Sequence, residues 1–330
     1  MRTGRVTELE AEGVYHCSSK TVNGENLFSD IHLRVFRDML RRVADFSGVS
    51  VITYCLLENH FHLLVRISPV GAISDKELVR RYRRLYCEGY LYQALTAEDL
   101  AAVLDQGGVE AARIRRALVA RMGNVSEFMK TLKQRFTLWF NGNHRRFGPL
   151  WSDRFKSVLI EDNVSVIETV AAYIDLNPVR AGNVVHPKDS MRSGFGRAAK
   201  GERFERDGIA LLYGRDPSGF ERYCKVLNEN SGFPCGAEEG DSIKGPDASG
   251  RVPHRPRRTG RFLSVLRHFS NGKVFGSKEF VERMFDEFSV FREVVTRRRS
   301  PIAVPNMSGL YSGTRVRRAK TCKKVRLPLS

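Results

Sequence analysis

The sequence of 330 residues has few cysteines and no long hydrophobic segment, and both absences exclude classes of protein. Its six cysteines are scattered without a CxxC pair, which argues against a zinc knuckle and against a disulfide framework. No stretch approaches the roughly 18 uninterrupted apolar residues that a membrane-spanning helix requires. The polar N-terminal segment lacks the apolar core of a secretory signal. We therefore expect a reduced, cytoplasmic protein.

Acidic residues are scarce in the last quarter of the chain, and positive charge is concentrated there. Residues 251–330 hold 20 of the 55 Lys and Arg residues but only 5 of the 37 Asp and Glu residues, a net charge of +15. The first 250 residues carry only +3 of the total of +18. This imbalance predicts a polyanionic partner, with nucleic acid as the default, and association with the nucleoid. A membrane surface is the weaker interpretation, because no segment combines this charge with a long amphipathic helix.

Hydrophobic periodicity predicts an alternation of strands and helices over the first 200 residues. Runs rich in apolar and β-branched residues predict four strands, at 13–19, 49–57, 61–67 and 150–160. Apolar residues at helical spacing predict three helices, at 28–46, at 126–141 and from about Asn163 to Pro178. Ser165 and Glu168 are spaced as a capping box for the third helix. The order strand, helix, strand, strand, helix, strand, helix predicts an α+β fold with a ferredoxin-like split βαβ antiparallel sheet.

The remaining segments are predicted as additions to this domain of residues 1–200. Residues 74–122 have helical and polar character, which indicates a helical insertion. Residues 201–258 form a connecting segment that becomes a Gly-, Pro- and Ser-rich linker from about residue 228. We expect a small helical, DNA-binding extension over 259–296 and a basic, disordered tail over 297–330.

The motif His60-Phe61-His62 begins the third predicted strand and is the first candidate for chemistry. On a strand, residues i and i+2 point to the same face, so both imidazoles converge while Phe61 packs on the other side. Two neutral imidazoles make a partial site for a divalent ion, which a third protein group or substrate oxygens must complete. The alternative is that each histidine pairs with a neighbour on the sheet surface.

The segment from Tyr173 to Arg180 is the second candidate, because Tyr173 and Asn177 lie one helical turn apart and share a face. A tyrosine hydroxyl beside a metal-bound phosphate is a competent nucleophile for transesterification of a phosphodiester. The covalent phosphotyrosine keeps the bond energy for rejoining, and Asn177 could supply an oxygen as a third metal ligand. Alternatively, Tyr173 is a core residue, because Val166 and Val170 fall on the same helical stripe.

Four segments of the sequence together resemble a known family. They are NHFHLLV, LKQRFTLWFN, GPLWSDRFKSVLI and AAYIDLNPVRAG. Within roughly residues 10–200, their combination and order resemble the REP-associated tyrosine transposases. This family belongs to the single-tyrosine HUH superfamily, in which U is a bulky apolar residue, here Phe61. The resemblance implies an HUH nuclease domain in which His60 and His62 are metal ligands, Tyr173 is the nucleophile and Asn177 is a further polar ligand.

The resemblance also implies the reaction and its partners. Tyr173 would attack a phosphate of single-stranded DNA, often at hairpin-forming repeats, and the reaction would require Mg²⁺ or Mn²⁺. The products would be a 5′-phosphotyrosine and a free 3′-hydroxyl, and attack of a 3′-hydroxyl on that linkage would complete strand transfer. Some relatives act as monomers and others as dimers that exchange the tyrosine helix, so the oligomeric state stays open.

Basic side chains around these motifs are candidates for contacts with DNA phosphates, although a run of charge is more often a solvated face. The candidates are Lys130, Lys133, Arg135, Arg145, Arg146, Arg154, Lys156 and Arg180. Arg154 and Lys156 are expected to lie on one face of the fourth strand. Binding of single strands adds aromatic stacking to charge. The aromatic candidates are Tyr15, Phe147, Trp151 and Phe155.

The sequence therefore predicts a metal-dependent DNA transposase that cuts and rejoins single-stranded DNA through Tyr173. One alternative is a nucleic-acid-binding protein that keeps the fold without catalysis. Another is a metal-dependent phosphodiesterase that uses water as the nucleophile, with Tyr173 in a structural role. A covalent protein–DNA adduct distinguishes them, because only the first hypothesis produces one.

Overall fold

Seven strands form one sheet in the computed structural model, which describes residues 12–86, 95–231, 273–292, 301–303 and 309–313. The strands are β1 (Gly13–Lys20), β2 (Ser50–Leu56), β3 (His60–Ile67), β4 (Lys156–Ile160), β5 (Val274–Gly276), β6 (Ile302–Ala303) and β7 (Tyr311–Gly313). Their spatial order is β2-β3-β1-β4-β5-β7-β6. Strands β4 and β5 are parallel, and every other neighbouring pair is antiparallel.

The described helices surround this sheet. They are α1 (Asp30–Ser47), α2 (Asp75–Leu85), α3 (Ala97–Gln106), α4 (Gly108–Val119), α5 (Val125–His144), α6 (Val164–Asp175), α7 (Asn177–Arg180), α8 (Gly194–Ala199), α9 (Arg203–Ala210), α10 (Gly219–Ser231) and α11 (Lys278–Arg292). Helix α1 ends at Gly48, whose φ of 67° is a left-handed conformation that glycine adopts without strain. No described helix is long and apolar enough to cross a bilayer.

The predicted α+β fold is confirmed by the order of the first four strands. The chain runs β1-α1-β2-β3-α5-β4, and these strands lie side by side as β4-β1-β3-β2. This is the split βαβ arrangement of a ferredoxin-like sheet. The fourth predicted strand is shorter than expected over 150–160, because Ser152 to Arg154 turn and only Trp151 bridges to β1 through Thr21.

Alternation of side chains along the strands divides the core into two layers. On β3, Phe61, Leu63 and Val65 face the layer that contains α1 and α5, whereas Leu64 faces α6. Helices α8, α9 and α10 complete the second layer around α6. The sheet is therefore covered on both faces, and the even-numbered residues of β3 meet the helix that carries Tyr173.

The predicted helical insertion is present as α2, α3 and α4, and it is part of the core. Leu78 and Leu85 of α2 are buried in the layer that contains α1 and α5, as are Leu100 and Leu104 of α3. The expected polar character is therefore confined to the outer faces of these helices, which pack through one apolar stripe each.

Helix α6 begins close to the predicted residue, Asn163, but without the predicted capping box. Its N-cap is Asn163, whose side-chain oxygen accepts a hydrogen bond from the backbone N–H of Ser165. Ser165 is therefore inside the first turn and does not begin a capping box with Glu168. The predicted effect of Pro178 is confirmed, because α6 ends at Asp175 and the chain restarts as the short helix α7.

The C-terminal region differs from the prediction in three places. The extension expected to be helical contains α11, but it also contributes β5, which pairs with β4 of the main sheet. The expected disordered tail contributes β6 and β7. Helix α10 continues to Ser231, into the segment predicted as a linker, while residues 232–258 lie outside the described residues.

A buried ion-pair network joins α9 to α1 and β2. The Nε atom of Arg37 lies 2.7 Å from Oε1 of Glu205, which also accepts a 2.6 Å hydrogen bond from the hydroxyl of Tyr54. All three side chains are buried. Burial acts to raise the pKa of Glu205, but hydrogen bonds from Arg37 and Tyr54 outweigh it, so the pKa is lowered. The carboxylate therefore remains charged at neutral pH.

Replacing Glu205 with Gln is expected to lower the free energy of unfolding by about 3 kcal/mol at pH 7, because it removes the buried charge that Arg37 and Arg41 share and leaves them only the half-buried Glu202. The difference in stability between the wild type and the variant should disappear as the pH falls through the lowered pKa of Glu205. A carboxyl group whose pKa is lowered by folding stabilises the protein only while it is ionised. Urea unfolding from pH 3 to pH 8 measures both effects.

Glu98→Gln is the matched control for this prediction. Glu98 is exposed and pairs with Arg83 at 3.0 Å, and an exposed pair contributes little to stability. Equal unfolding curves for Glu205→Gln and the wild type at pH 7 would contradict a stabilising role for the network.

Candidate active site

Three aromatic side chains from distant parts of the chain converge where β1, β3 and α6 meet. The ring centroids of His62 and Tyr173 are 5.8 Å apart, and those of His16 and Tyr173 are 6.0 Å apart. His16 and His62 stack at 5.0 Å with an interplanar angle of 24°. All three side chains are buried, and Tyr173 is only 1% exposed. We call these residues the ring cluster.

The two histidines of the His-Phe-His motif are brought together as the sequence predicts. Their ring centroids are 5.2 Å apart. The Nδ1 atom of His60 lies 2.6 Å from Oδ1 of Asn59, and Nδ1 of His62 lies 2.9 Å from Nε2 of His16. In both histidines, Nδ1 is engaged, which leaves Nε2 as the nitrogen that a ligand would use.

Burial keeps both histidines of the motif neutral. It lowers the pKa of His60 to about 4, with a further contribution from the charge of Lys20. Burial also lowers the pKa of His62 well below its ordinary value, and the neighbouring His16 acts in the same direction. The neutral imidazole is the form that binds a metal ion.

These residues fit a divalent metal ion as two ligands of an incomplete set. In the part of the chain that the structure describes, no group of three or more His, Cys, Asp and Glu side chains is arranged to hold a metal. Asn177 is buried, and its Nδ2 atom donates to the carbonyl oxygens of Tyr173 and Ile174. Its Oδ1 atom is therefore the atom that it could offer to a cation, and substrate oxygens would complete the set.

Arg180 lies against the ring of Tyr173. Its guanidinium carbon is 4.5 Å from the ring centroid, and Nη2 donates to the carbonyl oxygen of Tyr173. The Nη1 atom is buried and has no hydrogen-bond partner among the described residues. Burial lowers the pKa of Arg180. An unsatisfied buried guanidinium nitrogen requires an explanation, and a phosphate oxygen at this position would satisfy it.

The carboxylate of Asp175 fixes the position of α6 on the sheet. It accepts hydrogen bonds from the hydroxyl of Thr53 on β2, the backbone N–H of Phe195 on α8 and the hydroxyl of Tyr223 on α10. Burial raises the pKa of Asp175 to about 7, although these hydrogen bonds act to lower it. Tyr173 is therefore presented to the histidines by a helix that three other elements hold in place.

Two residues of the site, Lys20 and His16, are not predicted from the sequence. Lys20 pairs directly with His60 across β1 and β3, and its charge lowers the pKa values of both motif histidines. His16 lies on the same face of β1 as Ser18, which pairs with His62. Both residues lie on β1, so only the register of β1 and β3 shows that they join the site.

The predicted DNA-binding residues divide into two groups in the structure. Lys133 and Arg135 are buried, and they donate to the backbone oxygens of Asp153 and Leu85. In the structure these groups hold α5 to its neighbours, and their contact with DNA phosphates stays a prediction.

The exposed basic candidates lie on α5, on the loop after it and on β4. Lys130 pairs with Glu127 at 3.2 Å within α5. Arg145, Arg154 and Lys156 are exposed, whereas Arg146 is half-buried. Arg154 lies outside β4, so it does not share a strand face with Lys156 as expected.

Lys156 belongs to the face that carries the histidines. It pairs with Ser18 on β1, and Ser18 pairs with His62 on β3. Residues directly opposite each other point to the same face of an antiparallel sheet. Lys156 therefore lies two strands from His62, a spacing of roughly 10 Å across the sheet.

One of the four aromatic candidates for base stacking is fully exposed. Tyr15 and Phe155 are buried in the core, and Trp151 packs among core phenylalanines, whereas Phe147 is 94% exposed. The loop that carries Phe147 has a defined shape: Asn141 donates through Nδ2 to the carbonyl oxygen of Gly148. Of these four candidates, the structure therefore presents only Phe147 to solvent, beside Arg145 and Arg146.

Comparison with known proteins gives a distant structural similarity. No protein-family model and no curated protein match the sequence. The fold is similar to the structure of a REP-associated tyrosine transposase bound to a REP hairpin, with a TM-score of 0.36 and 16% sequence identity. The similarity covers 61% of this chain and 84% of the other. The geometry of the site, rather than this distant similarity, carries the function proposed below.

Proposed function

We propose that the protein is a metal-dependent transposase that cleaves and rejoins single-stranded DNA, at hairpin-forming repeats, through a tyrosine nucleophile. The observation that carries the proposal is the convergence of His62 and Arg180 on the ring of Tyr173. A nucleophile, ligands for a divalent cation and a cationic side chain for phosphate are the components that phosphoryl transfer requires.

The reaction would proceed by transesterification at one phosphate of the strand. The Oη atom of Tyr173 attacks phosphorus and loses its proton, and the bond between phosphorus and the 3′ oxygen breaks. The departing oxygen takes up a proton and becomes a free 3′-hydroxyl, while the 5′ phosphate stays esterified to Tyr173. Attack of a 3′-hydroxyl on this ester reverses the exchange and joins two strands.

The surrounding side chains have separate roles in this reaction. His60 and His62 would hold Mg²⁺ or Mn²⁺ through their Nε2 atoms, with Asn177 as a further ligand, and the bound ion would polarise the scissile phosphate. Arg180 would contact a phosphate oxygen through Nη1 and stabilise the charge that develops on it. Lys20 and Lys156 would bind neighbouring phosphates along the sheet.

A second candidate function follows from the burial of Tyr173. A tyrosine that is 1% exposed is also what a core residue would be, and then the protein would bind DNA without cutting it. The two functions differ in one observable: a transposase forms a covalent adduct with DNA, whereas a protein that only binds DNA does not.

A Tyr173→Phe variant is expected to bind single-stranded DNA like the wild type and to form no covalent adduct, because it lacks only the nucleophilic oxygen. The measurement uses a pool of hairpin oligonucleotides labelled at the 5′ or the 3′ end, incubated with Mn²⁺ and separated on a denaturing gel. Wild-type protein should give a slow band that chelator abolishes and that retains the label on the 3′ side of the cut.

The Tyr54→Phe variant is the matched control, because Tyr54 is equally buried on β2 but its hydroxyl bonds to Glu205. It should keep the adduct. Binding without any adduct in the wild type would favour the non-catalytic function, and cleavage that persists in Tyr173→Phe would assign the nucleophile to water.

A His60→Ala variant should bind Mn²⁺ at least about 10-fold more weakly, because it removes one of the two neutral imidazoles. Isothermal titration of the DNA-free protein measures this affinity directly. His144→Ala, which removes an exposed histidine on α5, should leave it unchanged. The same affinity in both variants would mean that the His-Phe-His motif binds no metal.

A Phe147→Ala variant should bind single-stranded DNA roughly 5- to 150-fold more weakly, because stacking of one base on an aromatic ring contributes about 1–3 kcal/mol. Phe147→Trp should retain the wild-type affinity. The control is Val109→Ala on α4, which removes a side chain of similar exposure, 88%, away from the basic loop. Fluorescence anisotropy with an unstructured oligonucleotide provides the dissociation constants, and equal values for Phe147→Ala and Val109→Ala would remove Phe147 from the DNA-binding surface.

A further inference from the structure

We infer that His16 is a positioning residue that fixes His62 in the tautomer with a proton on Nδ1. This tautomer presents the unprotonated Nε2 atom to a metal ion. The choice of this tautomer rests on the proposed function, whereas the hydrogen bond between the two histidines does not.

The position of His16 follows from the register of β1 against β3. His16 pairs with Leu64, and Ser18 pairs with His62, so His16 is the diagonal neighbour of His62 on the same face of the sheet. This placement gives the 2.9 Å contact between Nε2 of His16 and Nδ1 of His62. His16 is 1% exposed, so no water competes freely for this contact.

The contact has two possible directions, and only one serves a metal ligand. A neutral imidazole has one nitrogen that donates and one that accepts. If His62 donated from Nδ1, its Nε2 atom would carry a lone pair and could coordinate a cation. If His16 donated instead, Nε2 of His62 would carry the proton and could not coordinate.

His60 shows which direction matches the site. Its Nδ1 atom faces Oδ1 of Asn59, and a carbonyl oxygen can only accept, so His60 carries its proton on Nδ1. The same tautomer in His62 gives two neighbouring imidazoles with unprotonated Nε2 atoms. Each histidine of the motif then has a partner that orients it, and this is the usual arrangement around metal-ligating histidines.

Removal of the His16 nitrogen would leave Nδ1 of His62 buried without an acceptor. Such an unsatisfied buried donor costs about 1–3 kcal/mol. We therefore expect His62 to move its proton to Nε2 or to rotate. His16 also contacts the edge of Tyr173, so both changes would occur beside the proposed nucleophile.

The test measures the tautomer in the absence of any metal. Long-range ¹H–¹⁵N spectra of uniformly labelled, metal-free protein at neutral pH should show His62 protonated at Nδ1. His16→Phe, which keeps a ring but lacks the nitrogen, should lose this signature and bind Mn²⁺ about 10- to 100-fold more weakly. His16→Gln offers an acceptor oxygen and should restore the tautomer and part of the affinity.

Cys17→Ala is the matched control for packing, because Cys17 is the buried neighbour of His16 on β1 and faces the opposite layer. The inference is overturned if His16→Phe keeps the His62 tautomer, or if Cys17→Ala changes it equally. The protein could show a His62 tautomer that depends on His16 and yet form no covalent DNA adduct. That result would support the positioning role of His16 and reject the proposed transposase. The two failures are therefore distinguishable.

Discussion

The buried carboxylate of Asp175 is the interaction on which the site depends. A carboxylate removed from water is costly unless hydrogen bonds replace its hydration, and here they come from β2, α8 and α10. Asp175 is the last residue of α6, so these bonds fix the end of the helix that carries Tyr173. They also fix the start of α7, which carries Asn177 and Arg180. Loss of this anchor would move Tyr173, Asn177 and Arg180 together.

One face of the sheet packs against most of the aromatic core, and the other carries the candidate site. The face towards α1, α5 and the insertion is mainly apolar apart from the network of Arg37 and Glu205, and its large aromatic residues supply the hydrophobic burial that drives folding. The other face carries the ring cluster among aliphatic residues of α6. Because side chains alternate along β3, Phe61 belongs to the first face while His60 and His62 belong to the second. One strand thus serves both purposes.

The sequence predicts the fold and the centre of the site because both depend on local periodicity. Alternation along β3 predicts that His60 and His62 share a face, and helical spacing predicts the helix of Tyr173. The role of Lys133 could not be predicted in this way, because a lysine on an amphipathic helix is buried or exposed according to the element that packs over it. The part played by His16 likewise depends on strand register, which arises from pairing between distant segments.

Burying the polar groups around Tyr173 costs free energy that a purely structural role for this residue would not require. A fold that needed only a core tyrosine could surround it with apolar residues, at no cost in buried polar atoms. Instead, its ring contacts both His62 and Arg180, and Nη1 of Arg180 is buried without a partner among the described residues. Each such group costs about 1–3 kcal/mol when it is left unsatisfied. Among the described residues, Nε of Arg41 and Oδ1 of Asn141 are unsatisfied as well, but only Nη1 of Arg180 lies beside the ring of Tyr173, where a phosphate oxygen would offset its cost.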